Sequence, residues 1–490
     1  MEHFNLIVIG GGPSGYAGAM RALDFGKKVL LIEKTKVGGA GIYNGVLNSK
    51  TLWDQALKAA SIRELIPGYE TSFEAVTKVV NEAMFERKTQ MTIHLQLLQK
   101  LTNRLLFYEK GNAKLVDKNT VSITKGGISK TVTADFILIA TGGRPRIPAN
   151  IKIDERIIVT SDGIKNFTDF PESIVVLGAG VIGCEFATIF SCFGKTKVNL
   201  IDKADRILPF EDHDIADVIK NNLEAHGAHV HHGASLKRMA VVDGRVEYEL
   251  EYKNGVTEIL SVDKALISVG RVPNVENIGL ENVGIKMSER GCIWNEDTRT
   301  NVDNIFVAGD VTTDMALVNV GEREARHAVV RMFGPAVKPL SYKNISTIMF
   351  LNPEVAAVGM NEQECVSKGI PHKVVKLDFN TNARAITMRK TTGFFKIIVT
   401  NDSEMRILGM RAVGEHASSA IQAVAYLIYT NQGIKELADM MHPHPSIIEG
   451  IQECLRMLLN KSIYKPYVFN DRLKCYVCEN GVCTPIESLV

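Results

Sequence analysis

Phe4-Asn5-Leu6-Ile7-Val8-Ile9-Gly10-Gly11-Gly12-Pro13-Ser14-Gly15 is the stretch from which the fold is read. An apolar strand runs straight into closely spaced glycines. A helix through Ala17, Ala19, Met20 and Ala22 follows, and Gly26 stops it. The next strand, Lys28 to Ile32, ends at Glu33, an acid placed to accept hydrogen bonds from a ribose. Glycines at this spacing let backbone N–H groups approach a pyrophosphate, and the helix dipole favours its negative charge. The order strand, glycines, helix, strand, acid predicts a dinucleotide site built on Gly10, Gly12, Gly15 and Glu33.

The same plan recurs. Ile174 to Leu177 leads into Gly178-Ala179-Gly180-Val181-Ile182-Gly183, and Glu185 to Phe190 lie on the following helix. The strand Lys197 to Ile201 then ends at Asp202. A carboxylate at that position favours a free ribose over a 2′-phosphate, so NADH is preferred to NADPH, with Lys203 alongside as the opposing feature. Both copies close on similar segments: Phe136 to Thr141-Gly142-Gly143 in the first, and Ala265 to Gly270-Arg271 in the second. A later strand, Asn304 to Ala308, ends in Gly309-Asp310 and returns to the first copy. The expected fold is α/β, with two Rossmann-like nucleotide-binding domains, the second inserted into the first. A mixed-charge helical stretch from Phe73 to Leu106 is expected to pack on the first domain. From about Tyr342 strand-like segments alternate with a helix near Ser418 to Tyr429, the pattern of a separate α+β unit. The boundaries are 1–148 and 273–341 for the first domain, 149–272 for the second, 342–465 for the α+β unit and 466–490 for a tail.

Composition excludes several classes. A chain of 490 residues exceeds one hydrophobic core. A formal charge of +2 gives no field to draw nucleic acid. No apolar run reaches the roughly 20 residues of a membrane span. The chain opens directly on a strand, with no signal peptide, so a cytoplasmic location is expected. Eight cysteines in this length make no disulfide scaffold, and most are expected as free thiols. Cys475, Cys478 and Cys483 cluster near the C-terminus; three thiols fall one short of a Cys₄ zinc set, and no metal site is assigned.

These motifs together resemble the flavin-dependent pyridine nucleotide–disulfide oxidoreductases, especially the dihydrolipoamide dehydrogenase branch. The resemblance covers about residues 4 to 465. It rests on both glycine turns, Ser49-Lys50, Ala140-Thr141-Gly142, Gly270-Arg271-Val272-Pro273-Asn274, Ala308-Gly309-Asp310, Asn352-Pro353-Glu354-Val355 and His442-Pro443-His444-Pro445. It implies glutathione-reductase-type nucleotide domains, FAD on the first turn, NAD(P)H on the second, and a C-terminal domain that forms a homodimer. It further implies that Thr141, Gly142 and Asp310 contact the flavin cofactor, with Asp310 on its ribityl chain. Lys50 would pair with Glu185 near the ring, and the helix that starts after Leu317 would face the ring. Gly270 would belong to the nicotinamide side. His444 and Glu449 would be a proton-transfer pair reaching across the dimer.

One segment departs from the family. The redox motif Gly-Gly-Thr-Cys-x-x-x-x-Cys-x-Pro-Ser-Lys reads here as Gly38-Gly39-Ala40-Gly41-Ile42-Tyr43-Asn44-Gly45-Val46-Leu47-Asn48-Ser49-Lys50. Gly41 and Val46 stand at the cysteine positions and cannot store electrons, because only a thiolate attacks a disulfide. The leading expectation is therefore an FAD-dependent NAD(P)H oxidoreductase that passes electrons from flavin directly to a small acceptor, a quinone or a second nicotinamide. Classical disulfide reduction is disfavoured. Asn382-Ala383-Arg384-Ala385 is similar to a run in such relatives. Two alternatives remain: a disulfide reductase that uses Cys475 and Cys478 in the tail, and a non-catalytic flavoprotein that senses NAD(H).

Overall fold

Residues Glu2–Ile9 form the central strand of the first unit, and their alternation of Phe, Leu, Ile and Val is buried on both faces from Leu6 onward, as a parallel sheet requires. The structure is a computed structural model that describes residues 1–486. Two compact units account for it. The first comprises 1–55, 69–170 and 267–340; the second comprises 56–68, 171–266 and 341–490.

In the first unit Glu2–Ile9 lies parallel to Val29–Glu33 on one side and to Ile128–Ile139 on the other. Leu106–Lys110 extends the sheet beyond Val29–Glu33. The strand Ile305–Val307 joins parallel to Ile137–Ile139, which returns the chain to the first copy as the sequence implies. Asn112–Leu115 and Thr120–Lys125 add an antiparallel edge. Helices Pro13–Asp24 and Val318–Phe333 cover one face; Gly18 and Ala325 meet there, close enough that a Cβ on Gly18 would lie 3.5 Å from that of Ala325. Helix Phe73–Leu101 starts at Ser72, whose hydroxyl caps the Ala75 amide at 3.2 Å. It stops short of the expected Leu106, because Asn103 and Arg104 take left-handed backbone angles and Leu106 opens a strand.

In the second unit Ser173–Leu177, Lys197–Asp202 and His229–His232 are parallel neighbours, with Val181–Phe193 and His213–Ala225 as the connecting helices. A three-stranded antiparallel sheet follows: Ala234–Val242, Arg245–Tyr252 and Thr257–Val262. The C-terminal part is a seven-stranded antiparallel sheet. Its order is Ser346–Met349, Val355–Gly359, Ile407–Val413, Phe394–Thr400, His372–Asp378, Leu473–Glu479 and Val482–Pro485. Val375, Leu377, Phe395, Ile397, Met410 and Ala412 pack from one face of it against helices Gln422–Thr430 and Glu449–Leu458. The helix expected near Ser418 to Tyr429 is split into Ala417–Ala420 and Gln422–Thr430.

The tail corrects the sequence reading. Leu473–Glu479 pairs along His372–Leu377 and folds back through Asn480-Gly481 onto Val482–Pro485. Both turn residues have positive φ, 51° and 77°, the requirement of a two-residue type I′ hairpin. That register sets Cys478 opposite Cys483, with Cα atoms 4.1 Å apart, and the two form a disulfide. They are not the free thiols expected. The expected partnership of Cys475 with Cys478 fails for a geometric reason: residues three apart on a strand point to opposite faces. Cys475 packs instead against the helix-covered core, where burial pushes its thiol up to about 11. The last four positions of the tail, 487–490, lie outside the described residues.

Candidate active site and cofactor sites

The first glycine turn is held by three segments of its own unit. Gly10 has φ 111°, and a Cβ there would collide with the Ala140 carbonyl, so only glycine brings the turn against the Ala140-Thr141 strand end. Gly15 fits directly over the Gly10 carbonyl. Ser14 packs against Gly309 and Gly321, which joins the turn to the Asp310 strand end and to the helix that begins after Leu317. Asp310 lies 3.5 Å from Arg271 Nε. Thr141 donates through Oγ1 to the Asn274 carbonyl at 2.7 Å, and the Asn274 amide nitrogen returns to the Gly142 carbonyl at 2.9 Å. Thr141, Gly142, Gly270, Asp310 and Leu317 thus belong to the same unit as Gly10, Gly12 and Gly15.

Glu33 and Asp202 occupy equivalent places in the two copies. Glu33 is buried; its Oε2 accepts the Gly11 amide at 2.8 Å, and its Oε1 accepts the Thr35 amide at 2.7 Å. Asp202 accepts the Ala179 amide at 2.7 Å and the Ala204 amide at 2.8 Å. Each acid braces its own glycine turn, a duty the sequence did not announce. Glu33 Oε1 also accepts the Thr35 hydroxyl at 2.9 Å, so Glu33 Oε2 and both oxygens of Asp202 are the ones with acceptor capacity for a ribose hydroxyl.

The residues fit dinucleotide cofactors. Helices Pro13–Asp24 and Val181–Phe193 begin at Gly12 and Gly180 with no side-chain cap, so no side chain takes their first-turn amides. A Cβ on either glycine would meet nothing within 4 Å. Open space therefore stands before uncapped amides at both turns, which is the arrangement a pyrophosphate needs. Gly178 has φ 102° and Gly183 is buried on the helix, repeating the first copy.

The remaining expected residues divide between the units. Lys50 lies on helix Val46–Leu65. Gly41, at the first cysteine position, comes against Pro13: a Cβ there would lie 2.9 Å from its Cγ. Glu185 is buried on Val181–Phe193 and its Oε1 accepts the Phe350 amide at 3.0 Å. His444 and Glu449 are brought together as the resemblance implies, with His444 Nδ1 2.8 Å from Glu449 Oε1. Glu449 Oε2 accepts the Ser446 amide at 2.7 Å. Burial works the other way, but the Ser446 amide and His444 hold Glu449 below the usual carboxylate range. A proton on Nδ1 given to this carboxylate leaves Nε2 of an exposed ring for chemistry.

The sequence reading missed the surroundings of the tail disulfide. Glu362, at the start of helix Glu362–Ser367, has a carboxylate oxygen within 4.8 Å of both sulfurs. Its Oε1 accepts the Tyr476 hydroxyl at 2.8 Å, and its Oε2 lies 3.1 Å from Lys396 Nζ. The signal available in the sequence was Asn480-Gly481, which predicts a two-residue turn and sets 478 against 483.

Comparison with known proteins agrees with the architecture. Residues 4–325 match the pyridine nucleotide-disulphide oxidoreductase family, and residues 345–455 match its dimerisation domain. A dihydrolipoyl dehydrogenase of Geobacillus stearothermophilus is 34% identical, covering 94% of this chain and 97% of its own. Dihydrolipoyl dehydrogenase 3 of Haloarcula marismortui is 31% identical, covering 94% and 98%. Among solved structures, LpdA of Mycobacterium tuberculosis superposes with a TM-score of 0.85 at 25% identity, covering 94% of this chain and all of the other. The HOCl-induced flavoprotein disulfide reductase RclA of Escherichia coli, in its Cu(II) complex, gives 0.83 at 26% identity over the same shares.

These findings overturn the leading functional expectation. Direct transfer from flavin to a quinone or second nicotinamide, with no redox disulfide, rested on Gly41 and Val46, with the short run Asn382-Ala383-Arg384-Ala385 beside them. The similar proteins are dihydrolipoyl dehydrogenases and disulfide reductases, and the chain forms a disulfide of its own at Cys478–Cys483. No helix among the described residues is long and apolar enough to cross a membrane. With two matching domains, whole-length relatives and turns that fit both nucleotides, this chain belongs to the pyridine nucleotide-disulphide oxidoreductases and is an oxidoreductase with FAD and NAD(H) as its cofactors.

Proposed function

We propose that the protein is an FAD-dependent NAD(P)H disulfide reductase of the dihydrolipoyl dehydrogenase type, in which Cys478–Cys483 replaces the redox pair missing at Gly41 and Val46. The observation that carries this reading is the formed disulfide in a chain whose relatives along its whole length are dihydrolipoyl dehydrogenases. Its substrate is a small-molecule disulfide, and the working form is a homodimer built on the dimerisation domain.

Gly10, Gly12, Gly15, Glu33, Thr141, Gly142, Asp310 and Leu317 would hold FAD. Gly178, Gly180, Gly183 and Asp202 would hold the nicotinamide nucleotide, with NADH preferred because Asp202 repels a 2′-phosphate. Bound FAD supplies two-electron exchange between a nicotinamide and a disulfide. Lys50 would place positive charge near the flavin. His444, oriented by Glu449, would hold the proton that a leaving thiolate needs. The tail pair then works by exchange. The Cys483 thiolate attacks a substrate disulfide and releases one thiol; Cys478 attacks Cys483 and releases the second. The Cys478–Cys483 bond is restored.

The test is NADH-driven reduction of lipoamide and of an aromatic disulfide by the holoenzyme. Cys478→Ser and Cys483→Ser are expected to lower turnover about 10³-fold or more, while Cys475→Ser stays near wild type. Wild-type turnover by both Cys478→Ser and Cys483→Ser would overturn the reading.

A further inference from the structure

The surroundings of Cys478–Cys483 carry more than a covalent clip. Cys478 is 2% exposed, whereas Cys483 is open to solvent. An exchange reaction that ends on Cys478 must therefore move a proton out of a buried place, and two features of the pocket address that need.

The first is Glu362. Its carboxylate is near both sulfurs and is held from two sides, by the Tyr476 hydroxyl and the Lys396 ammonium. With a side chain 21% exposed, it joins the buried sulfur to water. It also belongs to a buried cluster with a charge excess. Lys396 contacts Asp212 at 3.2 Å, Asp214 at 2.8 Å and Glu362 at 3.1 Å, and Lys376 contacts Asp214 at 3.1 Å. Two ammonium groups thus face three carboxylates, and one added proton neutralises the set. Burial opposes the charge on Lys396, yet Asp214, Asp212 and Glu362 hold its pKa above the usual lysine range. Burial likewise opposes the charge on Asp214, yet Lys396 and Lys376 keep it below the usual carboxylate range.

The second feature is His372. It sits directly opposite Cys478 in the ladder between His372–Asp378 and Leu473–Glu479, so the two side chains share a face of the sheet. The ring is 1% exposed, and Nδ1 lies 2.7 Å from the Ile370 carbonyl. A carbonyl only accepts, so Nδ1 is the donor there, and in the neutral ring Nε2 is an acceptor. Nε2 is buried and makes no hydrogen bond. A buried acceptor without a donor is costly. Reduction of the disulfide creates an S–H donor at the facing position.

We propose that Glu362 is the proton acceptor of the Cys478–Cys483 pair, taking the Cys478 thiol proton as that sulfur closes onto Cys483, in a pocket where His372 offers the reduced thiol a hydrogen-bond acceptor. This rests on the reading of the pair as the enzyme's electron store. The step balances. The dithiol and a disulfide R–S–S–R give the Cys478–Cys483 disulfide and two R–SH. His444 protonates the first leaving thiolate and regains its proton through solvent from Cys483, and the Cys478 proton passes through Glu362 to the second. The other charged or titratable groups around the site are Lys376 on the His372 strand, Lys396 and the Arg411–Glu211 pair beside it, Asp212 and Asp214 at the start of helix His213–Ala225, Cys365, Glu364 and Lys368 at the helix of Glu362, and Glu479 after Cys478.

The experiment measures closure of the pair directly, without NADH. The holoenzyme is reduced with dithiothreitol, desalted and mixed with oxidised glutathione. Trapping by alkylation and mass spectrometry of the peptide holding both cysteines then gives the rate. Glu362→Gln, which leaves Lys396 paired with Asp212 and Asp214, is expected to slow closure about 100-fold at pH 7, the scale of one acid–base group. The deficit shrinks as pH rises and hydroxide makes the thiolate unaided. Tyr476→Phe, which removes only the hydroxyl that holds Glu362, is expected to slow closure several-fold with the same recovery and serves if Glu362→Gln does not fold. Closure at the wild-type rate, or a deficit that does not change with pH, would overturn the assignment. If the pair closes as described but NADH never reduces it, the proposed function fails and the acid–base assignment stands.

Discussion

At the scale of single residues, the chain holds His444 against Glu449 and places its disulfide at Cys478–Cys483. His444 and Glu449 are held by two hydrogen bonds to one carboxylate, so the imidazole is oriented before any partner arrives. Glu449→Gln keeps the size of that side chain and loses its charge. Disulfide reduction by NADH is expected to fall about 10²-fold, with the acid limb of its pH–rate profile displaced, while bleaching of the flavin by NADH in a stopped-flow instrument stays at the wild-type rate. Equal losses in both half-reactions would mean that Glu449 only supports the fold. Gly15→Ala probes the first turn in the same way. Its new methyl would press on the Gly10 carbonyl, so flavin content of the purified protein is expected to drop at least about tenfold, equivalent to 1.4 kcal/mol of affinity.

At the scale of elements, each nucleotide-binding copy is stiffened by an acid that ties a strand end to a glycine turn, and the second copy carries a pH-sensitive strand beside it. His231, on His229–His232, bonds Tyr252 at 2.7 Å and Asn199 at 3.3 Å. Burial, followed by the neighbouring His229 and His232, pushes its pKa from 6.5 down to about 4. The folded state then binds fewer protons than the unfolded chain between those values, so stability is full above about pH 6.5 and is lost as pH falls toward about 4. Thermal melting should show that decline, and His231→Gln should flatten it; an unchanged slope would contradict the assignment. The glycine turns, the Asp310 strand end and the His444–Glu449 pair were legible because their chemistry fixes residue types at short spacings. The network of Asp212, Asp214, Glu362, Lys376, Lys396 and Tyr476 was not, because six scattered positions meet only once the antiparallel sheet has formed. Cys478–Cys483 lay between these cases. Asn480-Gly481 encodes its register locally, but three clustered cysteines drew the pairing toward Cys475.

At the scale of the whole molecule, one chain holds two dinucleotide turns, a dimerisation domain and a disulfide set into the sheet of that domain. The loop that carries the redox pair in the family has Gly41 against Pro13, so a larger side chain at that position would press on the first glycine turn. On the proposed function the electrons go to sulfur elsewhere, and Cys478–Cys483 is the disulfide present among the described residues. The most direct test is to add excess NADH to the oxidised holoenzyme under anaerobic conditions, quench with an alkylating reagent, and read Cys478 and Cys483 by mass spectrometry. The account predicts that both become alkylated, in step with uptake of four electrons per chain, two by flavin and two by the pair. A bleached flavin beside an intact Cys478–Cys483 disulfide, with only two electrons taken up, would contradict it.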